Sequence, residues 1–254
     1  MDLPRNTFKH ALAAGQQQIG IWSTLATSVT VELIAASGFD WMLLDMEHSP
    51  NDLESLVVQL QAAEPYRTHA VVRVPWNDAV LLKRVLDIGA QSVLVPMIDD
   101  AEQARAAVAA MRYPPRGVRG VGGTTRATRW GRVPGYPQKA EGELAILLQV
   151  ETQTALNNIE AIAAVDGVDG IFVGPADLHA SFGHLGERHH PDVWPHIEHA
   201  IRRIRAAGKA PGFLTSNEPD ARRILELGAQ FVAVGSDASL LASSADALCK
   251  RYMG

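Results

Sequence analysis

Ala145-Ile146-Leu147-Leu148-Gln149-Val150-Glu151 leads into a segment of helical spacing, Ala155 to Ala164, and then into Gly170-Ile171-Phe172-Val173-Gly174-Pro175-Ala176-Asp177. The two flanking runs are apolar almost without interruption, as suits strands covered on both faces of a parallel sheet. One β/α/β unit is therefore readable here. Working outward, similar runs stand at Ile19 to Trp22, Trp41 to Leu44, Ala70 to Val74, Ser92 to Val95, Pro211 to Leu214 and Phe231 to Val234. Ala/Leu/Glu/Arg-rich segments at Val29 to Ala36, Asp52 to Ala63, Asp78 to Leu86, Ala101 to Met111, Pro195 to Ala207 and Glu218 to Leu227 read as helices between most of them. Asn77-Asp78, Asp99-Asp100 and Ser216-Asn217 supply N-caps, and Gly89, Gly208 and Gly228 follow helices as C-cap glycines do. Eight runs alternating with helices predict a closed (β/α)8 TIM barrel rather than an open doubly wound sheet.

A chain of 254 residues fits one barrel domain. With 47% hydrophobic and 20% charged residues it has ordinary globular composition. A net charge of -5 gives no general attraction to polyanions, so neither nucleic acid nor an anionic membrane is the expected partner. The single cysteine, Cys249, excludes an intrachain disulfide and a cysteine metal cage. Met1 to Gly15 lacks the pattern of a secretory signal, and no stretch reaches the roughly 18 apolar residues of a membrane span. The expected location is the cytoplasm.

Tyr113 to Glu143 breaks the rhythm with Pro114-Pro115, four glycines between Gly117 and Gly123, five arginines and Trp130. Loops of that length serve as lids, binding loops or interface elements. The glycines do not form a dinucleotide fingerprint. His184, His189 and His190 lie in a second irregular stretch without metal-ligand spacing and read as solvated histidines.

In a barrel of this kind, polar residues just after a strand face the active site. Glu151 and Asp177 follow adjacent predicted strands, and two carboxylates that close need a cation or a shared proton. An all-oxygen pair suits Mg, Mn or Co better than structural Zn. The alternative is that each simply caps the helix after it. Asp45 and His48 share one short loop, where a carboxylate can orient an imidazole as general base; the competing reading is a cap and a surface histidine. Arg73 lies in an apolar strand and needs an anion, whether Glu151, Asp45 or a ligand oxygen. Gly174-Pro175-Ala176-Asp177 can present the backbone N–H groups of Ala176 and Asp177 to a carboxylate.

From Asp45-Met46-Glu47-His48-Ser49-Pro50-Asn51-Asp52 onward, the chain resembles the 4-hydroxy-2-oxoheptanedioate aldolase (HpcH/HpaI-type) family of class II aldolases. The similarity continues through Val72-Arg73-Val74-Pro75, Leu94-Val95-Pro96-Met97, Arg112-Tyr113-Pro114-Pro115, Gly117 to Gly122, Arg129-Trp130, Gln149-Val150-Glu151-Thr152, Gly170 to Leu178 and Phe231 to Gly235. It implies a single-domain barrel of the phosphoenolpyruvate/pyruvate-binding type. It also implies that Glu151 and Asp177 ligate the metal, that His48 assisted by Asp45 is the base, and that Arg73 binds the 2-oxo oxygen and enolate. The Gly174-Pro175-Ala176-Asp177 turn, with Gln149, would hold the pyruvate end. A homohexamer, sometimes exchanging C-terminal helices, is implied as well. Gly122-Gly123-Thr124-Thr125-Arg126 departs from the family version in length and in its threonines, so the aldehyde-side specificity is not carried over.

The expected reaction is cleavage of a 4-hydroxy-2-oxo acid to pyruvate, or hydroxypyruvate, and an aldehyde, the cation and Arg73 stabilising the enolate oxyanion. A Schiff-base aldolase is disfavoured because Lys9, Lys83, Lys139, Lys209 and Lys250 all avoid predicted strand ends. An acyl-coenzyme A lyase of related barrel type would need a basic rim, which the arginine-rich loop would have to supply. A non-catalytic ligand-binding barrel is disfavoured because each catalytic-type position is filled.

Overall fold

The computed structural model describes residues 1–187 and 189–254. Eight strands, β1 (Gln18–Ser23), β2 (Trp41–Asp45), β3 (His69–Arg73), β4 (Ser92–Val95), β5 (Ala145–Val150), β6 (Gly170–Val173), β7 (Ala210–Leu214) and β8 (Phe231–Ser236), pair in parallel and in sequence order. The last pairs with the first, closing the barrel.

The predicted helices form as α2 (Ser28–Ala35), α3 (Leu53–Ala63), α4 (Ala79–Asp87), α5 (Ala101–Met111), α10 (Trp194–Ala206) and α11 (Glu218–Glu226). Ala155 to Ala164, expected as one helix, is two: α7 (Gln153–Asn157) and α8 (Ile159–Ala163). The break falls at Asn158 (φ -104, ψ 9), whose side-chain amide donates to the Asp99 carbonyl at 2.8 Å. An amide that bonds outside its helix competes with the helical ladder. Three further helices went unread, α1 (Thr7–Ala13), α6 (Tyr136–Lys139) and α9 (Pro175–Ser181), whereas α12 (Asp237–Met253) is the C-terminal helix that the resemblance implied.

Strand alternation sorts side chains into two cores. One set fills the space between strands and helices, from Val31 and Leu56 to Ile201 and Ile224. The other fills the barrel: Trp22, Trp41, Leu43, Val71, Leu94, Leu147, Phe172 and Phe231. Period two then aims Asp45 after Leu43, Arg73 after Val71, Gln149 and Glu151 after Leu147, and Gly174 after Phe172 toward the same axis. Gly20 makes room for this filling, since a Cβ there would sit 2.2 Å from the Trp41 ring.

Helix α1 closes the N-terminal mouth. Its Phe8 ring lies 5.7 Å from Trp41 and 5.8 Å from both His69 and Phe231, all at strand starts. Asn6 caps it, accepting from the Lys9 N–H at 2.8 Å while its own amide donates to Ser92 Oγ at 2.9 Å.

Tyr113 to Glu143 connects α5 to β5 and so covers this same N-terminal mouth, away from the strand C-termini. Four of its five arginines are ion-paired: Arg116 with Glu141 and Asp166, Arg119 with Asp87, beneath the Tyr113 ring, and Arg126 and Arg129 with Glu64. Within one chain the loop therefore supplies no basic rim to the strand C-termini, as the acyl-coenzyme A alternative required. At the other end of the sequence, Asp237 is buried but α12 beyond it is bare, with Leu240, Leu241, Leu248, Tyr252 and Met253 exposed. No described helix is long and apolar enough to cross a membrane.

Candidate active site

Asp45 and Arg73 are register partners at the ends of β2 and β3, and their side chains meet inside the barrel mouth. Arg73 Nε donates to Asp45 Oδ1 at 2.9 Å and Nη2 to Oδ2 at 2.6 Å. Its third nitrogen, Nη1, lies 2.8 Å from Glu47 Oε2, and its plane sits over the Trp22 ring at 5.0 Å. Trp22 Nε1 also donates to Asp45 at 3.2 Å. Burial opposes ionisation of Asp45, but the Arg73 hydrogen bonds and charge outweigh it and hold the carboxyl below its ordinary range. The anion required by Arg73 is thus Asp45, joined by Glu47.

Asp45 does not hydrogen-bond to His48. Its carboxylate is occupied by Arg73, Trp22 and the Glu47 N–H, while its carbonyl accepts from Ser49 Oγ and the Asn51 amide. His48 stands exposed on the loop so pinned.

Glu151 is buried and held from three sides. Oε1 accepts from the Met97 N–H at 2.9 Å, and Oε2 accepts from Gln149 Nε2 at 2.7 Å. Gly174 is the third side: a Cβ there would lie 2.4 Å from Glu151 Oε2. Met97 adopts left-handed backbone (φ 55), which costs a non-glycine residue roughly 1–2 kcal/mol, to aim that N–H. Pro96-Met97 contributes here through a backbone donor rather than a side chain.

Asp177 lies exposed in the first turn of α9, without a hydrogen bond among the described residues. Gly174 provides that helix no side-chain cap, so its first N–H groups, including those of Ala176 and Asp177 behind Pro175, point outward at the mouth.

Burial pushes Glu151 up to about 7, with the Glu47 and Asp177 charges adding to it and the Gln149 and Met97 hydrogen bonds opposing. Burial likewise pushes Glu47 to about 7, against Arg73 and reinforced by Asp45 and Asp177. The charges of Glu47, Glu151 and Asp177 thus act on one another at the mouth, where Glu47 Oε2 meets the Arg73 guanidinium and Gln149 Oε1 is buried without a hydrogen-bond partner. Such an oxygen set, whose negative charges repel one another, fits a hard divalent cation. Glu47 was passed over in the sequence because the strand period ends before it; its value arises only from its contact with Arg73. Lysine is missing from the mouth: Lys9 pairs with Asp169 before β6, and the other four lie on α4, α6, α12 or just before β7.

The HpcH/HpaI aldolase/citrate lyase family model matches residues 18–244. The chain belongs to this family. Its fold and its carbon–carbon lyase class follow from that membership. A 4-hydroxy-2-oxo-heptane-1,7-dioate aldolase of Salmonella paratyphi C (strain RKS4594) is 53% identical over 98% of this chain and 95% of its own length. Among solved structures, an HpcH/HpaI aldolase/citrate lyase family protein from Burkholderia cenocepacia J2315 superposes with a TM-score of 0.95, at 36% identity, over 98% of this chain and 100% of its own. An HpcH/HpaI aldolase from Desulfitobacterium hafniense DCB-2 gives 0.87 at 31% identity, covering 95% of each chain.

Proposed function

We propose that this lyase is a divalent-metal-dependent class II aldolase that reversibly cleaves 4-hydroxy-2-oxo acids to pyruvate, or hydroxypyruvate, and an aldehyde. The observation that carries the reading is Glu151, clamped by Met97, Gln149 and Gly174 within reach of the charges of Asp177 and Glu47. Glu151 and Asp177 would hold the cation, Mg, Mn or Co by their all-oxygen donors. Bound there, the cation supplies Lewis-acid polarisation of the 2-oxo group.

The protein's own residues perform the rest. Arg73, fixed by Asp45 on two nitrogens and Glu47 on the third, keeps further N–H groups for the 2-oxo oxygen as negative charge grows on it. Gln149 and the Gly174-Pro175-Ala176-Asp177 turn orient the pyruvate end, the Ala176 and Asp177 N–H groups receiving its carboxylate. His48 takes the proton of the C4 hydroxyl as the C3–C4 bond breaks; the electron pair passes to C3 as the pyruvate enolate and the aldehyde departs. A proton then returns to C3. With Asp45 committed to Arg73, His48 acts in this scheme as an exposed base that closes onto substrate at the mouth.

Pyruvate release from a panel of 4-hydroxy-2-oxo acids tests the reading. EDTA should abolish release, added Mg or Mn should restore it, and borohydride with pyruvate should leave the protein unmodified. Release that survives EDTA would overturn it.

The bare α12 supports a further reading, that its Leu240, Leu241 and Leu248 pack on another copy within a homohexamer. Its root is fixed, because Asp237 accepts from Ser23 Oγ at 3.0 Å and from the Thr24 N–H at 2.8 Å. The exposed Val118, Val121 and Trp130 of the long loop would face a neighbouring subunit in such an assembly, with cytoplasm as its compartment. Light scattering should give six chains for the full protein and fewer once residues 239–254 are removed.

A further inference from the structure

The segment between α9 and α10 brings together side chains that the mechanism does not use. Successive turns place His184, Glu187, His190 and Val193 in register, the N–H of each later residue donating to the carbonyl three before at 3.0 to 3.1 Å. The His184 and His190 rings consequently stack face to face, with centroids 3.4 Å apart and planes at 15°. On one edge of the stack, His184 Nε2 and His190 Nδ1 each lie 3.9 Å from Asp192 Oδ2. On the other edge, Glu187 lies 3.7 Å from His184 Nδ1 and 3.8 Å from His190 Nε2. His184 and His190, read from the sequence together with His189 as solvated histidines, are therefore a stacked pair between two carboxylates.

The geometry points to a second divalent-cation site, formed by His184, His190 and Asp192, which takes a borderline transition ion of the Zn class. The ligand atoms of these three residues all lie within 4.8 Å of one another. The Asp192 N–H donates to His190 Nδ1 at 3.3 Å, so that nitrogen presents a lone pair on the edge facing Asp192, and ligation there would displace this one backbone hydrogen bond. Two nitrogens and one carboxylate oxygen are a softer set than Glu151 with Asp177, and they select zinc where the all-oxygen mouth selects magnesium or manganese.

The two sites also differ in what they would do. His184 follows α9 after Phe182 and Gly183; that helix carries Asp177 in its first turn, and the His184 N–H donates to its His179 carbonyl at 2.8 Å. An ion joining His184 to His190 and Asp192 would tie the C-terminal end of α9 to the start of α10 and so stiffen the support beneath Asp177.

Zinc binding to the metal-stripped full-length protein provides the test, read by competition with a chromophoric chelator and by elemental analysis after desalting. The background is Glu151→Gln with Asp177→Asn, which removes the mouth ligands and keeps this question separate from the proposed aldolase mechanism. That background should retain one zinc per chain. Adding His184→Asn or His190→Asn should weaken the retained zinc at least tenfold and lower the resistance of the α9–α10 segment to proteolysis in zinc, with the circular dichroism spectrum unchanged. Zinc affinity that is the same with and without the two histidines would overturn the proposal, as would a background that takes up no zinc.

Discussion

At the N-terminal mouth of the barrel, Phe8 lies against Trp41, His69 and Phe231; at the C-terminal mouth, Arg73 lies against Asp45, Glu47 and Trp22. The same strands build both ends. On β2, the inward positions run Trp41, Leu43, Asp45, so two residue steps separate a packed aromatic layer from a buried ion pair. The apolar layers fix the strands at low cost. The charged layer, which burial penalises, is tolerated because each charge has a partner or awaits a ligand. The difference teaches where to look for stability and where for chemistry, and each substitution below should act at one mouth only.

The largest effect belongs to Glu151→Gln. It keeps the shape and the Met97 contact while removing the anionic ligand, so kcat should fall by roughly 10³-fold or more, with binding of Mg or Mn lost in parallel. Thermal stability should hold or rise, because a carboxyl crowded by two others becomes neutral. A variant with near-normal kcat would remove Glu151 from the chemistry. Phe8→Ala is its counterpart at the far mouth. It should cost about 3–5 kcal/mol in urea unfolding, as for a large buried aromatic, with kcat per folded molecule unchanged. A kcat that fell with stability would show that the two mouths are coupled.

Arg73→Lys should be milder, lowering kcat/KM roughly 10²-fold, because an ammonium cannot span Asp45 and Glu47 together while leaving donors for substrate. Arg73 also shows what was legible in advance. A cation in an apolar strand announces that it needs an anion, and Glu151 and Asp177 announce themselves by following adjacent strands. Their neighbours carried no such mark. Glu47 lies beyond the strand period, Met97 contributes only a backbone N–H, and His184 and His190 meet through turns rather than a recognisable spacing. Helix α1 was missed because seven residues with Phe8 and Leu12 inward carry too short a pattern, and α9 because its opening Gly174-Pro175 reads as a turn. Asp45 was open to His48, by nearness in sequence, and to Arg73, which needed an anion; the cross-strand register gives it to Arg73.

The smallest effect, and the one that separates the mouths by sign, is pH dependence. Burial pushes His69 down to about 4 from an ordinary 6.5. Its neutral form belongs to the fold, so its contribution is complete above about 6.5 and is lost as pH falls toward 4. Burial pushes Glu151 the other way, to about 7 from 4.5, so its contribution is complete below about 4.5 and is lost as pH rises through 7. In EDTA, Glu151→Gln should therefore gain in Tm relative to the parent as pH goes from 5 to 8, whereas His69→Gln should gain relative to the parent as pH goes from 7 to 5. At about 2 to 4 °C per kcal/mol for a chain of this size, the differences should be a few degrees. Magnesium should mimic the first substitution, raising the parent's Tm more at pH 8 than at pH 5, because a cation stabilises the ionised carboxylates. Parallel Tm profiles for all three proteins in EDTA would mean that neither buried group titrates between its two states, and the electrostatic contrast between the mouths would fall with them.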